Sequence, residues 1–327
     1  MRFFPASLSI LTILFSLTAC KKKPTTTHSD IYFVGALNKY HKNTTQGPPL
    51  RTAVYWKNGI LTQLTDSLTN AVANTIAVDN KDIYVGGSVD YIATYWKNGV
   101  AKNLGYGIIY AIKIVGHDVY VAGVSKKQRW SKDMATYWKN GVATVIGPGT
   151  IYSLTVKNDD VYMAGVGIYN SPLDVQAATY WKNNTRLPLN DTTGGKTYAS
   201  DLFLYDGDVY IAGLGYNNSG KDLAVYWKNG HIVSLSAPEG SAQCIFIQND
   251  DVYACGAFHD TPVYWKNGVV HTLANTSHSW AMAVAVQDNN LYVVGSNQYL
   301  PVYWKNGARI PLSSYYGSVY AMDIVSY

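Results

Sequence analysis

The stretch DIYVGGSVDYIATYWKNG, residues 82–99, contains two short signatures that recur along the chain. Its second signature, Tyr-Trp-Lys-Asn, occurs seven times, at intervals of 38 to 46 residues between successive tryptophans. These tryptophans are Trp56, Trp96, Trp138, Trp181, Trp227, Trp265 and Trp304. The first signature begins at Asp30, Asp82, Asp118, Asp160, Asp208, Asp251 and Asn290. In each copy a Gly follows the signature Tyr by three residues: Gly35, Gly87, Gly123, Gly165, Gly213, Gly256 and Gly295. Self-similarity at such a period indicates a repeat architecture.

One unit is predicted to form four strands, here 76–78, 83–87, 93–96 and 101–104. Asn98-Gly99 predicts a tight hairpin turn, because this pair accepts the positive φ angles of a type I′ turn. No long segment shows a period of 3.6 residues, so we expect almost no helix.

Seven units of four strands predict an all-β fold, a seven-bladed β-propeller of four-stranded antiparallel blades. The chain enters at residues 30–35, which match the second strand of a unit, and ends with 320–325, which match the first strand. The C-terminal strand is therefore expected to complete the first blade and close the ring. The alternative, an open solenoid, would leave an unpaired edge at each end.

The N-terminal sequence predicts export of the protein and its cellular location. Residues 1–19 have the pattern of a signal peptide, and Leu17-Thr18-Ala19-Cys20 resembles the lipobox of bacterial lipoproteins, with Cys20 as the lipidated residue. Residues 20–29 would be a polar tether and 30–327 the propeller. The apolar run is short for a spanning helix. The alternative is an uncleaved anchor, with Lys21–Lys23 held in the cytoplasm. The predicted location is the cell envelope, as an outer-membrane lipoprotein facing the periplasm or the surface.

Over residues 30–327 the chain resembles bacterial β-propeller lipoproteins, with a kelch-like spacing of Gly, Tyr and Trp in each unit. It departs from the kelch pattern because a double Gly ends the second strand only at Gly86-Gly87. The resemblance implies the fold and not an activity, since propellers serve as enzymes, lectins and scaffolds.

The repeated residues are expected to serve the fold. Each signature Trp should fill the space between neighbouring blades, and the signature Tyr should pack in the same way. The repeated Gly should permit a close backbone approach or a bend, and the repeated Asp should cap its turn through backbone N–H groups. The lysines that follow the tryptophans would ring one face. We expect a solvated polar face there, the alternative being a surface for anionic lipid or an acidic partner.

The residues that vary between units are the binding candidates. Aromatic side chains recur at the connections on one face, and alignment of the units places further variable residues at the mouth of the central channel. The ligand-binding candidates are Asn74, Tyr91, Tyr110, Trp130, Tyr152, Tyr169, Tyr216, Gln243, Trp280, Tyr299 and Tyr320. The aligned channel positions also include Ser200 and Met282, and the same face carries Tyr40, Tyr198, Phe258, Tyr315 and Tyr316. Alternatively, these side chains only pack the loops.

Composition and motifs exclude several functions. A net charge of +5, with 14% charged residues, is too mild to require nucleic acid. No His-Glu-x-x-His, P-loop or Gly-x-Ser-x-Gly motif is present in a suitable context, so no catalytic residue, metal or cofactor is predicted. The alternative is a polysaccharide hydrolase or lyase. Its acid/base pair would be assembled from His259-Asp260 and Asp201 in different blades.

Two cysteines remain beyond Cys20. Counting outward from the turn at Asn249-Asp250 places Cys244 opposite Cys255 on adjacent strands. A cross-strand disulfide and two buried free thiols both remain open.

The sequence thus predicts a monomeric, membrane-anchored binding module that recognises a glycan through an aromatic loop face. A protein–protein assembly scaffold in the envelope is the alternative.

Overall fold

A computed structural model describes residues 28–39, 50–66, 68–169, 175–187, 189, 197–216 and 221–327. The predicted signal peptide, Cys20, most of the tether and Tyr40 lie outside these residues. All regular elements in the described ranges are β-strands, so the all-β expectation is confirmed. Over the same ranges, no helix has the length and apolarity needed to cross a membrane.

The strands, numbered in chain order, form antiparallel sheets. The sheet β26-β1-β2-β3 comprises Gly317–Ser326, Ser29–Lys39, Leu50–Lys57 and Ile60–Gln63. A ten-stranded sheet runs in order from β4 to β13: Ala71–Asp79, Asp82–Val89, Ile92–Lys97, Val100–Val115, Asp118–Ser125, Met134–Lys139, Val142–Lys157, Asp160–Tyr169, Val175–Lys182 and Thr185–Leu187. The sheet β14 to β17 comprises Tyr198–Tyr205, Asp208–Tyr216, Asp222–Lys228 and His231–Pro238. The sheet β18 to β21 comprises Gly240–Gln248, Asp251–Phe258, Thr261–Lys266 and Val269–Thr272. The sheet β22 to β25 comprises Trp280–Gln287, Asn290–Asn297, Leu300–Lys305 and Ala308–Pro311.

The first and last strands of the chain pair with each other. β26 runs antiparallel to β1, with Ser29 opposite Ser326 and Val34 opposite Ala321. The two ends of the described chain are therefore held in one sheet.

The ten-stranded sheet arises because two strands are longer than the repeat predicts. β7 and β10 each have 16 residues and continue from the outer strand of one unit into the first strand of the next. Gly105 and Gly107 in β7 have positive φ angles of 95° and 153°. Because such angles are open to Gly, the strand can change direction without ending. The predicted short strand at 101–104 is thus the first part of a longer one.

Seven strands form the inside of the molecule. These inner strands are β4, β7, β10, β14, β18, β22 and β26, and each contacts the next in that order, while β26 contacts β4. We call the end at which the inner strands begin the loop face, and the opposite end, with the Asn-Gly turns, the hairpin face. Antiparallel pairing puts the turn between β5 and β6 on the loop face, because Ala71 is opposite Val89.

On the hairpin face the two signatures bind each other. In the unit of Asp118, the Asn140 Oδ1 atom accepts the backbone N–H of Val119 at 2.9 Å, and its Nδ2 atom donates to Asp118 at 2.7 Å. The Lys139 Nζ atom is 2.8 Å from the other Asp118 oxygen and 5.1 Å from the Tyr120 ring centroid. The expectation that the Asp caps backbone N–H groups is therefore wrong. The Asn amide takes that role, and the Asp holds the Asn and the Lys.

The same arrangement recurs around the molecule. The ion pairs are Lys57–Asp30, Lys97–Asp82, Lys139–Asp118, Lys182–Asp160, Lys228–Asp208 and Lys266–Asp251. In each pair the hydrogen bond from the Lys holds the pKa of the Asp carboxyl below its usual range. In the last unit Asn290 replaces the Asp, and Asn306 donates to it at 2.9 Å. The lysines are thus mostly neutralised, as expected for a solvated polar face.

The signature tryptophans are buried between successive units, as predicted. Trp96, which is 1% exposed, packs against Tyr32, Val34 and Ala53 of the preceding sheet. Trp56 also donates its ring N–H to the backbone oxygen of Leu312 at 3.1 Å. These rings are core and offer no surface to a ligand.

We predict that Trp96→Ala lowers the free energy of unfolding by about 3–5 kcal/mol, because it opens a cavity between two sheets. The matched control is Trp130→Ala, since Trp130 is 81% exposed. Urea unfolding followed by circular dichroism measures both. Equal losses in the two variants would contradict the assigned packing.

Candidate functional site

The seven inner strands surround one cavity of about 1120 Å³. Every inner strand contributes wall residues to it. The cavity is therefore the place where all units meet, and side chains that differ between units are brought together there.

Each inner strand contains a β-bulge at the wall. The pairing with the neighbouring second strand skips one residue per strand. The skipped residues are Asn74, Tyr110, Tyr152, Ser200, Gln243, Met282 and Tyr320, and all of them line the cavity. These are the seven channel positions that aligning the units predicted. Bulges are common beside binding sites because they re-aim a side chain.

The repeated Gly makes the bulge possible. At Gly213 a Cβ atom would overlap with the backbone oxygen of Tyr198, two residues before the bulged Ser200. A Cβ atom at each of the other six repeated glycines would likewise overlap with a backbone oxygen two residues before a bulge. These oxygens belong to Ser318, Val72, Ile108, Thr150, Ser241 and Trp280. The predicted close backbone approach is confirmed. The invariant Gly thus fixes the geometry of a position whose side chain varies.

The wall near the loop face is rich in aromatic and amide side chains, and Asp222 adds a carboxylate to it. The rings of Tyr110 and Tyr152 meet edge to face, with centroids 5.3 Å apart. Burial raises the pKa of Tyr110 to about 12 and also raises the pKa of Tyr152. Both phenols therefore stay protonated near neutral pH and can donate and accept hydrogen bonds. Asn74 donates its amide to the backbone oxygen of Ile109 at 2.9 Å.

Two partly buried carboxyl groups on the inner strands also line the cavity. Asp201 accepts hydrogen bonds from the Ser153 hydroxyl at 2.8 Å, and from the backbone N–H groups of Leu202 and Ile245. Burial raises its pKa. These bonds engage both oxygens and connect β10, β14 and β18. The structure does not bring Asp201 to His259, whose ring pairs with Glu239 at 2.7 Å and does not line the cavity.

The second carboxyl group, Asp323, was missed by the sequence reasoning. Its Oδ2 atom accepts the backbone N–H of Val78 at 2.7 Å, and burial raises its pKa while Lys113 opposes that effect. Asp323 and Lys113 both lie three residues after a bulge, so the alignment of the units could have found them. Within the described residues, no group of three His, Cys, Asp or Glu side chains is placed to hold a metal ion.

The other candidates lie at the rim of the loop face. The rings of Tyr91 and Trp130 are 6.1 Å apart, and those of Trp280 and Tyr299 are 5.9 Å apart. Tyr216 is half-buried, and burial raises its pKa. The backbone of Tyr169 ends β11, and its side chain is outside the described part. The structure thus gathers five candidates in the cavity (Asn74, Tyr110, Tyr152, Gln243 and Tyr320) and places two aromatic pairs at its rim.

The two cysteines lie on neighbouring strands. Cys244 is directly opposite Cys255, as the count from the turn predicted, and their Cα atoms are 5.4 Å apart. The structure joins them in a disulfide. Cys244 follows the bulged Gln243, so the bond fixes β18 to β19 beside the cavity wall.

Comparison with solved structures shows the type of fold. The chain is similar to the β-propeller domain of the Trilobed protease from Pyrococcus furiosus, with a TM-score of 0.52, 13% identity, and coverage of 88% of this chain and 95% of that one. It is also similar to an acylaminoacyl peptidase from Pyrococcus horikoshii, with a TM-score of 0.52 and 16% identity over 88% of this chain, and it spans 51% of that protein. No protein-family model matches the sequence, and no curated protein matches it. At these identities the similarity establishes a β-propeller likeness and no activity.

We predict that Gly213→Ala destabilises the protein by about 1–3 kcal/mol or more, because the added methyl group overlaps with a backbone oxygen. Gly215→Ala, in the same strand, is the control, since its nearest neighbour would be a Val225 methyl at 3.4 Å. Thermal unfolding of both variants is the measurement. If Gly213→Ala unfolds no earlier than Gly215→Ala, the bulge does not depend on the Gly.

Proposed function

We propose that the protein is a lipid-anchored, seven-bladed β-propeller of the cell envelope that binds a glycan at its loop face. The observation that carries this proposal is the set of seven bulged residues around one cavity. Their side chains are mostly aromatic or amide-bearing, and none of them is charged.

Closure into a ring of seven blades is supported by two observations. The inner strands contact each other in cyclic order, including β26 with β4, and β26 pairs with β1 in the sheet that holds both chain ends. The long strands β7 and β10 would each belong to two blades. A closed ring explains why no inner strand lacks a neighbour on either side.

The wall chemistry suits a carbohydrate. Aromatic rings present a flat apolar face on which the C–H face of a sugar can pack, while protonated phenols and side-chain amides match hydroxyl groups. The cavity, at about 1120 Å³, is slightly larger than most small-molecule pockets and has room for several sugar units. Tyr110, Tyr152 and Tyr320 would supply the stacking surface, and Gln243 the amide.

We propose binding without catalysis. A general acid needs an oxygen directed at the substrate, whereas Asp201 has both oxygens engaged by protein donors. Asp323 is on β26, which is separated from the strand of Asp201 by at least two other inner strands in either direction around the ring. Asp201 and Asp323 so placed do not flank one bond, and the third carboxylate that lines the cavity, Asp222, is exposed at its rim.

We predict that the full chain in detergent binds members of a glycan array saturably. Replacing Tyr110, Tyr152 and Tyr320 together by Ala should weaken this binding by at least about tenfold, because three stacking contacts are lost. Tyr327→Ala, on the hairpin face, is the control and should bind as the wild type does.

Absence of binding across a broad array would overturn the glycan proposal. Recovery of one envelope protein by crosslinking in intact cells, lost in the triple variant, would then favour an assembly scaffold that uses the same face.

The anchor has its own test. Cys20→Ser removes the atom that would be acylated, so the protein should move from the membrane fraction to the soluble fraction after cell disruption. Unchanged fractionation, or labelling by a palmitate analogue in the Ser variant, would contradict lipidation at Cys20.

A further inference from the structure

A cationic aromatic cluster lies at the rim of the loop face. The Arg129 guanidinium carbon is 4.3 Å from the ring centroid of Tyr91 and 5.0 Å from that of Trp130. Trp130 is 81% exposed and Tyr91 37% exposed. We call Tyr91, Arg129 and Trp130 the rim platform. Large aromatic rings that are exposed to water are unfavourably hydrated, and such exposed apolar surface commonly marks a binding site.

The backbone of the platform is held in an unfavourable conformation. Asp90 and Tyr91 form the turn between β5 and β6 with φ angles of 48° and 69°, a region that bulky residues rarely adopt. The Asp90 carboxylate accepts a hydrogen bond from the backbone N–H of Asn70 at 3.1 Å. The backbone oxygen of Tyr91 accepts one from the backbone N–H of Gly107 at 2.8 Å. The chain uses Asn-Gly for the same kind of turn on the hairpin face. A Tyr is therefore kept here at a cost to stability, which points to a use for its ring.

The platform holds one cationic group, the Arg129 guanidinium, and further cationic residues flank it in the chain. The segment KKQRWSK, residues 126–132, contains four cationic residues and no carboxylate. Lys126 pairs with Asp133 at 2.7 Å, but none of the described acidic residues forms an ion pair with Arg129. The guanidinium lies over both rings and forms no ion pair with those residues, so N–H donors at its edge can meet a planar carboxylate.

The platform is continuous with the cavity. Strand β7 carries Tyr106, which is 42% exposed, near the platform and Tyr110 at the cavity wall. Four residues of strand span roughly 13 Å. A flat membrane surface would meet the rim and not the recessed wall, whereas an extended polymer can occupy both. This continuity favours a polysaccharide over a lipid headgroup.

We infer that the rim platform binds a carboxylated sugar unit of an extended acidic polysaccharide whose neighbouring units occupy the cavity. The sugar ring packs on Trp130 and Tyr91, and its carboxylate accepts two parallel hydrogen bonds from Arg129. This inference rests on the proposed function, and it names the class of glycan.

The test compares polygalacturonate with neutral dextran as probes for the full chain in detergent, by isothermal titration calorimetry. Arg129→Gln should weaken polygalacturonate binding by about tenfold or more, since a charge-assisted bidentate contact is lost, and should leave dextran unchanged. Arg129→Lys should restore only part of the affinity, because an ammonium group lacks the planar pair of donors. Lys81→Gln, an equal charge change at an exposed turn of the hairpin face, is the control and should have no effect.

The outcomes separate the two proposals. If polygalacturonate binds and Arg129→Gln leaves it unchanged, or weakens both polymers equally, the platform inference is overturned while glycan binding stands. If polygalacturonate does not bind, the platform inference is overturned, whereas the glycan proposal is decided separately by the array. Vesicles that contain phosphatidylglycerol are compared with uncharged vesicles. If Arg129→Gln abolishes the stronger binding to phosphatidylglycerol vesicles and leaves polymer binding intact, the platform is a membrane contact and the inference is wrong.

Discussion

The contact between a second-strand Gly and the backbone oxygen two residues before the bulge determines the geometry of the central cavity. Any side chain at Gly87 or Gly256, for example, would overlap with that oxygen. Because the two strands approach so closely there, the residue two positions after that oxygen leaves the strand pairing and faces the cavity. The constraint acts on backbone alone, so it leaves the identity of the bulged side chain free. One repeated residue thus creates a position at which the side chain can vary.

The remaining repeated residues stabilise each unit and leave little for a ligand. Asp, Asn, Lys and Tyr of the two signatures bind one another on the hairpin face, and the Trp is buried against the preceding unit. Exposed ion pairs of this kind contribute modestly to stability. The unit with Asn290 shows that the arrangement tolerates the loss of the carboxylate, because the Asn306 amide still finds an acceptor. Function therefore has to be sought at the loop face and in the cavity.

Much of this was predictable from the sequence because the repeat supplies an internal alignment. The seven bulged positions, the buried tryptophans and the register of Cys244 with Cys255 follow from counting between signatures. The partners of Asp118 were not predictable, because capping of a turn and pairing across a hairpin use the same residue types at similar spacing. Nor was the continuity of β7, which depends on the φ angles of two glycines. Asp323 was overlooked because its side chain faces the cavity only through the position of the bulge before it.

The variable residues are distributed unevenly around the cavity. Tyr320, Tyr110 and Tyr152 stand on β26, β7 and β10, whereas β14, β18 and β22 present Ser200, Gln243 and Met282. The rim does not follow this division: Tyr91, in the unit of β4, and Tyr299, in the unit of β22, both occupy turns with positive φ, as does His259 in the unit of β18. Stability alone would favour Asn or Gly at such turns, as on the hairpin face. The turns that hold Tyr91 and Tyr299 therefore carry a cost in stability. A ligand that spans the rim at Tyr91 and the cavity wall at Tyr110 would lie along β7. Arg129, beside Tyr91 and Trp130, is at the rim end of that path, and this gives a bound polymer a direction.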